Sequence, residues 1–399
     1  MRPNRLLLFA PLTLTVILVG LVARPAGLGA ADVPARLSDQ EFWKLTEELS
    51  EPNGEFTSDN LLSNERVFSR LVPDLVARTK PGGVYLGVGP EQNFTYIAAM
   101  RPRMAFITDI RRGNLHLQLM YKALFELSAD RSEFVARLFT KPRQTSLTPA
   151  STVTELMNAY WEAFTGDEAA YAANLQAIQN HLTETRAFPL SAEDLSGIAA
   201  VYRAFYWYGP SITWSARVSL ATQAPTISVN NAGSVTLSIG GPTYWDMVTQ
   251  TDATGQALSY LASEEKFSFV KELQRKNLIV PVVGNFAGPK ALRAVGAYVR
   301  AHGATVTAFY LSNVESYLQR AQTWPAFCAN VATMPLDDGS VFIRPSGSGI
   351  VLRNGQLPIA NAGGRTVSAS EFRVITSYTP GSAAPGLVPM AADVKACGK

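Results

Sequence analysis

Cysteine and histidine are scarce in this chain, with two of the first and three of the second in 399 residues. His116, His181 and His302 are scattered and no CxxC spacing occurs, so the usual spacing of metal ligands is missing and no metal site is expected. Charge is sparse too, at 17 % of residues with a net charge of +3. A nucleic-acid face would raise that balance much further, so no nucleic-acid partner is expected. There is no GxSxG, and neither cysteine has a nearby His pattern, which removes the usual signatures of nucleophilic hydrolysis. No GKS or GKT is present to hold a triphosphate. The two cysteines, Cys328 and Cys397, can pair in an oxidising compartment and close a loop of roughly 70 residues. They are equally compatible with one buried and one exposed thiol.

What the chain does have is apolar mass. A hydrophobic fraction of 47 % over this length supplies a large core, enough for two domains or for one with a big insertion. Arg2 and Arg5 precede the apolar run 6–22, and the small residues of "AGLGAAD" follow. A basic start, an apolar middle and an Ala/Gly-rich exit read as a signal peptide over 1–31, with Gly29 in an acceptable position for a cut after Ala31. The rival reading is an uncleaved anchor, since about 17 apolar residues is marginal for a membrane span. Either way the body lies outside the cytoplasm, periplasmic or secreted. No Cys follows the run, so lipidation there has no chemical basis.

The chain then divides by pattern. Segment 32–130 carries N-terminal helices, the buried strands "VYLGV" and "MAFITDI", and an amphipathic helix in "GNLHLQLMYKALFELS". Continuous apolar strands joined by helices predict a parallel sheet covered on both faces. Segment 131–245 reads as a mainly helical insertion, with a capping box at Ser191 and Asp194. It ends in a β-hairpin about 230–233 within "TISVNNAGSVTLSIGG". The framework returns over 246–346 with "NLIVPVVGNF", whose Pro281 is an anomaly for a strand. The helix "GPKALRAVGAYVRAHG" and the strand "ATVTAFYLSNV" complete a second βαβ unit, and "GSVFIRPS" suggests a strand at the sheet's end. The Pro/Gly/Ala-rich segment 347–399 reads as a poorly ordered tail. The expected fold is α/β, a doubly wound, mainly parallel Rossmann-like sheet with that helical and hairpin insertion.

One loop carries the chemical signal. In "GGVYLGVGPEQN" the strand feeds Gly87 and Gly89, as where a backbone passes close to a ligand. Asp109 closes the next strand about 20 residues later, where a ribose-binding acid is expected. Gln92 stands where a dinucleotide loop wants Gly or Ala, so a tight pyrophosphate cradle is not formed. A ligand with ribose but no phosphate fits better, and S-adenosylmethionine is the obvious one. Its amino-acid moiety would lie over Gly87 and Gly89, its ribose on Asp109, with Glu91 or Asn93 reaching the ammonium or carboxylate.

"SDNLLSNE", "GGVYLGVGPEQNFTYIAAMRPRMAFITDIRRGN" and "NLIVPVVGNFAGPKALRAVG" resemble a family of uncharacterised bacterial exported proteins. Its members are similar in fold to class I S-adenosylmethionine-dependent methyltransferases. The resemblance spans most of 55–345 and implies the fold; Gly87, Gly89 and Asp109 match the methyltransferase pattern. Tyr85 stands where that pattern has an acidic residue. "VPVVGNF" takes the place of the motif that often carries a catalytic Asp or Asn, which makes Asn285 the candidate there.

Other residues have two readings each. Tyr244 and Asp246, after the Gly-Gly-Pro turn of "GGPTYWDM", face a ligand or, with Thr243, make a capping box. Arg111 and Arg112 hold a substrate anion or form a solvated face. Tyr206, Trp207, Tyr208 and Trp214 stack on an adenine or pack in the core. Asp59, Asn60 and Glu65 form a lid or cap helices. The functional expectation is nucleoside-ligand binding with methyl transfer to a small molecule, through Asn285, Asp246 or Tyr244. The alternative is an exported binding or scaffold protein that keeps the fold without the chemistry.

Overall fold

The computed structural model describes residues 32–65, 68–161, 166–215, 226–229, 235–238, 242–344 and 386–397. The expected leader 1–31, the centre of the hairpin turn and most of the tail lie outside them.

Five apolar runs become parallel strands of one sheet: β1 (Val84–Gly87), β2 (Met104–Asp109), β5 (Ile279–Val283), β6 (Val306–Tyr310) and β7 (Val341–Arg344). A sixth strand, β8 (Gly386–Pro389), pairs antiparallel with β7. The order across the sheet is β5-β2-β1-β6-β7-β8. Every residue of the five parallel strands is buried, so both faces are covered and the runs need no polar alternation. The fold is therefore α/β with a mostly parallel, six-stranded mixed sheet.

Pro281 sits in register beside Ile107, and β5 is the outermost strand, the place where sheets accept proline. The outer side of β5 is held by the chain flanking α1 (Asp39–Leu49). Glu51 N–H donates to Val283 O at 2.7 Å, and Val283 N–H donates to Ser50 Oγ at 3.0 Å. β5 and β6 are not neighbours, since β2 and β1 lie between them. The second helix–strand unit thus straddles the first instead of sitting beside it.

Helix α2 (Val72–Arg78) precedes β1, and α3 (Gln92–Met100) follows the glycine loop. Next comes α4 (Arg112–Leu127), whose side chains from Asn114 to Phe125 are all buried because it packs on β2, β5 and the inserted helices. The insertion contains α5 (Arg131–Leu138), α6 (Val153–Ala159), α7 (Glu168–Asn180) and α8 (Ala192–Tyr208). The expected box at Ser191 and Asp194 starts α8, and the hairpin pairs β3 (Thr226–Val229) with β4 (Val235–Ser238). Then follow α9 (Tyr244–Thr249), α10 (Glu264–Arg275), α11 (Ala291–Ala301), α12 (Val314–Arg320) and α13 (Trp324–Val331). Among the described residues no helix is long and apolar enough to cross a membrane.

Two expectations are corrected at the C-terminus. The run "VFIR" is not at the sheet's end, because β8 pairs beyond it; and of the expected tail 347–399, residues 386–397 are ordered, the rest lying outside the described residues. Residues 386–397 form β8 and α14 (Met390–Cys397), and Cys397 is disulfide-bonded to Cys328 on α13. Arg344 on β7 is buried and bonds both Glu315 and Asp393, which fixes α14 from its other side. Composition alone missed this because a disulfide and a buried ion pair hold a segment poor in large apolar residues.

Candidate functional site

The chain leaves the C-terminal ends of β1, β2, β5 and β6 around one cavity of about 150 Å³. Its wall contains Val88, Gly89 and Pro90 after β1, Asp109 and Ile110 at the end of β2, and Gly284, Asn285 and Phe286 after β5. Ser312 and Asn313 follow β6, and Ser63, Asn64 and Trp214 close it from the other side. The crevice outside the carboxyl ends of parallel strands, where the strand order reverses, is where open α/β sheets hold ligands.

The glycine loop is built from within. The Asn93 amide nitrogen donates to Val88 O at 2.9 Å, Gly89 O at 3.3 Å and Pro90 O at 2.7 Å, so one side chain ties the whole turn. Its oxygen accepts from the Tyr85 hydroxyl at 2.8 Å. Tyr85 therefore occupies the position of the expected acid as a support for the loop, and Asn93 faces the protein and not the cavity. A side chain on Gly87 would meet the Asn93 oxygen at 1.9 Å. Gly89 has φ +74° and open space where a Cβ would stand, so it presents bare backbone to the cavity. Gln118 on α4 donates to Gly89 O at 3.0 Å and completes the frame.

Asp109 is nearly buried, and its Oδ1 accepts from the Arg111 backbone N–H at 2.9 Å while the Arg111 guanidinium lies 3.3 Å away. Arg112 is bonded to Asp194, which also takes His116 at 2.9 Å. Both arginines are thus spent within the molecule. None of the described residues in the cavity wall is Lys, Arg or His.

Asn285 is exposed at the rim; its N–H donates to Glu51 Oε2 at 3.0 Å, and its side-chain oxygen accepts from Ala287 N–H at 2.9 Å. Tyr244 and Asp246 are elsewhere. Tyr244 is fully buried and hydrogen-bonded to the Tyr260 hydroxyl, and burial pushes its phenol far above the usual range. Asp246 caps α9 through Thr243. The bland reading of both, core and cap, is the one their surroundings satisfy. Of the four aromatics singled out, Tyr206, Trp207 and Tyr208 form the last turn of α8, and Trp214 alone reaches the cavity wall.

Glu91 and Glu65 lie one layer deeper. Glu91 Oε2 accepts the Ser63 N–H at 3.3 Å, and burial, with Glu65 nearby, pushes its carboxyl up to about 8. Glu65 accepts from the Tyr310 hydroxyl at 2.7 Å and from the Gln92 amide at 2.7 Å, and burial raises it as well. After Glu65 the next described element is a 3-10 turn at Phe68–Leu71.

Sequence reasoning missed Phe56, Ser63, Asn64, Ser312, Asn313 and Tyr317. Ser312 and Asn313 were findable, since they follow a strand in parallel with Gly89 and Asp109. Phe56 was not: it reaches the site through the segment 50–60, which crosses the strand ends with Gly54 N–H bonded to Ile110 O at 2.8 Å. Phe56 meets Tyr317 on α12 edge-to-face at 5.0 Å and roofs the cavity. Beyond it lies a more open groove of about 690 Å³ lined by residues 53–59, Arg111 and Gly113.

The model of a family described as a domain of unknown function (DUF7790) matches residues 61–193 and 238–365, well over half of the chain. The unmatched stretch between them contains most of α8 and most of the hairpin. No curated protein matches the chain.

Proposed function

We propose, for a chain that belongs to the DUF7790 family, that the cavity at the strand ends binds a phosphate-free nucleoside ligand, S-adenosylmethionine being the first candidate. One observation carries this reading: Gly89, Asp109 and Asn285, far apart in sequence, line the same cavity at the strand ends, where the strand order reverses between β1 and β6. The strand order, with the first two strands and β6 and β7 flanking that point, supports the Rossmann-like, methyltransferase-type reading of the sheet. The lack of cationic side chains among the described lining residues favours a ligand without phosphate.

Asp109 would accept hydrogen bonds from ribose hydroxyls, Gly89 would let the ligand approach the backbone, and Trp214 offers a face for a base. Bound there, the cofactor would supply an electrophilic methyl group. Asn285, at the rim, would position the acceptor. Glu91 and Asn93 act behind the loop as its support. The cavity is smaller than the ~300 Å³ at which ligand pockets begin, so binding would require the wall to give, and Phe56 lines both the cavity and the groove.

A second reading has its own support. The Cys328–Cys397 disulfide fits an oxidising compartment, in agreement with the basic and apolar leader. S-adenosylmethionine is a cytoplasmic metabolite, so an exported member would act as a binding or scaffold protein. Calorimetric titration of residues 32–399 with S-adenosylmethionine and S-adenosylhomocysteine tests both. Micromolar binding lost in Asp109→Ala supports the first reading. No heat with either compound overturns it and leaves the second.

A further inference from the structure

Two hydroxyls in the cavity wall lead to a carboxyl behind it. Ser63 Oγ is 3.2 Å from the Tyr310 hydroxyl, which donates to Glu65 Oε1 at 2.7 Å. Ser312, also in the wall, has its side chain beside both Tyr310 and Glu65. Its backbone has φ +48°, a conformation that a non-glycine residue holds only when its surroundings impose it, and such residues gather at working sites. The other Glu65 oxygen accepts from Gln92, whose amide also donates to the Tyr96 hydroxyl at 2.8 Å.

We propose that Glu65 is a proton-relay residue of this cavity, withdrawing a proton from a bound ligand through Ser63 and Tyr310. With Tyr310 donating to Glu65, the Ser63 hydroxyl donates to Tyr310, and a Ser63 lone pair is left to receive. A ligand N–H or O–H gives its proton to Ser63 Oγ, Ser63 passes its own to Tyr310, and Tyr310 passes its own to the carboxylate. One carboxylate becomes a carboxylic acid, both hydroxyls are restored, and the ligand keeps the electron pair. Burial makes such a carboxylate a stronger base than an exposed one, as general-base work at neutral pH needs. The titratable groups facing it are Tyr310 from β6, Tyr96 from α3, Tyr85 from β1 and Glu91 from the loop; burial raises the carboxyl, and the hydrogen bonds it accepts from Gln92 and Tyr310 offset part of that rise.

Because the relay is part of the ligand-free protein, it is tested apart from the identity of the ligand. Infrared spectroscopy of the full chain labelled with ¹³C-glutamate reads the carboxylic C=O band as pH is varied, with Glu65→Gln assigning the band. The expected result is a glutamate titrating above the ordinary range. Its exchange in D₂O should slow by about tenfold when Ser63 and Ser312 are both changed to Ala. Tyr310→Phe, which keeps the ring, should slow it likewise if Glu65→Gln fails to fold. An ordinary titration, or exchange indifferent to Ser63, Ser312 and Tyr310, overturns the relay, whether or not S-adenosylmethionine binds.

Discussion

The Tyr85 hydroxyl donates to the Asn93 side-chain oxygen at 2.8 Å, and this bond orients the amide that holds the backbone of the glycine loop. Asn93→Ala removes three bonds to loop carbonyls and strands a buried phenol, so it should cost about 2–4 kcal/mol. Gly87→Ala should act on the same bond, by pushing its methyl into the Asn93 oxygen. Both should lower the denaturant midpoint and abolish ligand binding, whereas Tyr85→Phe should weaken the fold less. Equal stability in all three would mean that the loop stands without this tie.

Glu91 gives the fold a pH dependence of definite sign. Its folded carboxyl is pushed up to about 8, so the native state holds a proton that the unfolded chain releases near 4.5. The stability this contributes is complete below pH 4.5 and is lost as pH rises towards 8, by up to about 5 kcal/mol. Glu91→Gln should flatten that decline in urea titrations between pH 5 and pH 8. An unchanged slope would show that the carboxyl ionises at little cost.

A buried cluster on α4 sets the opposite trend in acid. Burial pushes the Glu126 carboxyl up, but His181, Lys122 and Arg186 outweigh it and hold the group down at about 2. Its stabilisation is present above pH 4.5 and fades as pH falls towards 2, by roughly 3 kcal/mol. Glu126→Gln leaves Lys122 and Arg186 without their shared anion and should cost about 3–5 kcal/mol at neutral pH. Thermal unfolding from pH 2 to pH 7 checks both effects, and a variant as stable as the parent would refute them.

Reducing Cys328–Cys397 frees a loop closed across 69 positions, worth about 4 kcal/mol on loop entropy alone. Cys397→Ser should lower the unfolding free energy by about that amount and raise hydrogen exchange first in β8 and α14. Exchange rising across the whole sheet at once would mean that the C-terminal segment does not detach as a unit.

Much of the sheet was legible because its strands are continuous apolar runs with glycine or a helix cap at their ends. Pro281 looked foreign to a strand only while the position of β5 was unknown; being outermost is a property of the assembled sheet and not of the run itself. The site was half legible. Gly89, Asp109 and Asn285 announced themselves by their place after strands, while Tyr244 and Asp246 had equally good local signatures and serve as core and cap. Ser63 and Glu65 were harder, because their partners Tyr310 and Gln92 are distant in sequence and only folding brings buried hydroxyls and carboxyls together. The ordering of residues 386–397 rests on a covalent bond and on Arg344, neither of which leaves a mark in local periodicity.

Pro281 and the bonds from Ser50 and Glu51 leave β5 little to offer a second molecule. On the far side, among the described residues, β7 is covered by β8, which α14 anchors through Cys397. Without the disulfide, β8 would be held to β7 by its ladder and by the Arg344–Asp393 pair, and any opening of that segment would expose unpaired backbone groups of β7. The one cysteine pair thus secures the outer strand of the sheet as well as closing a loop of the chain.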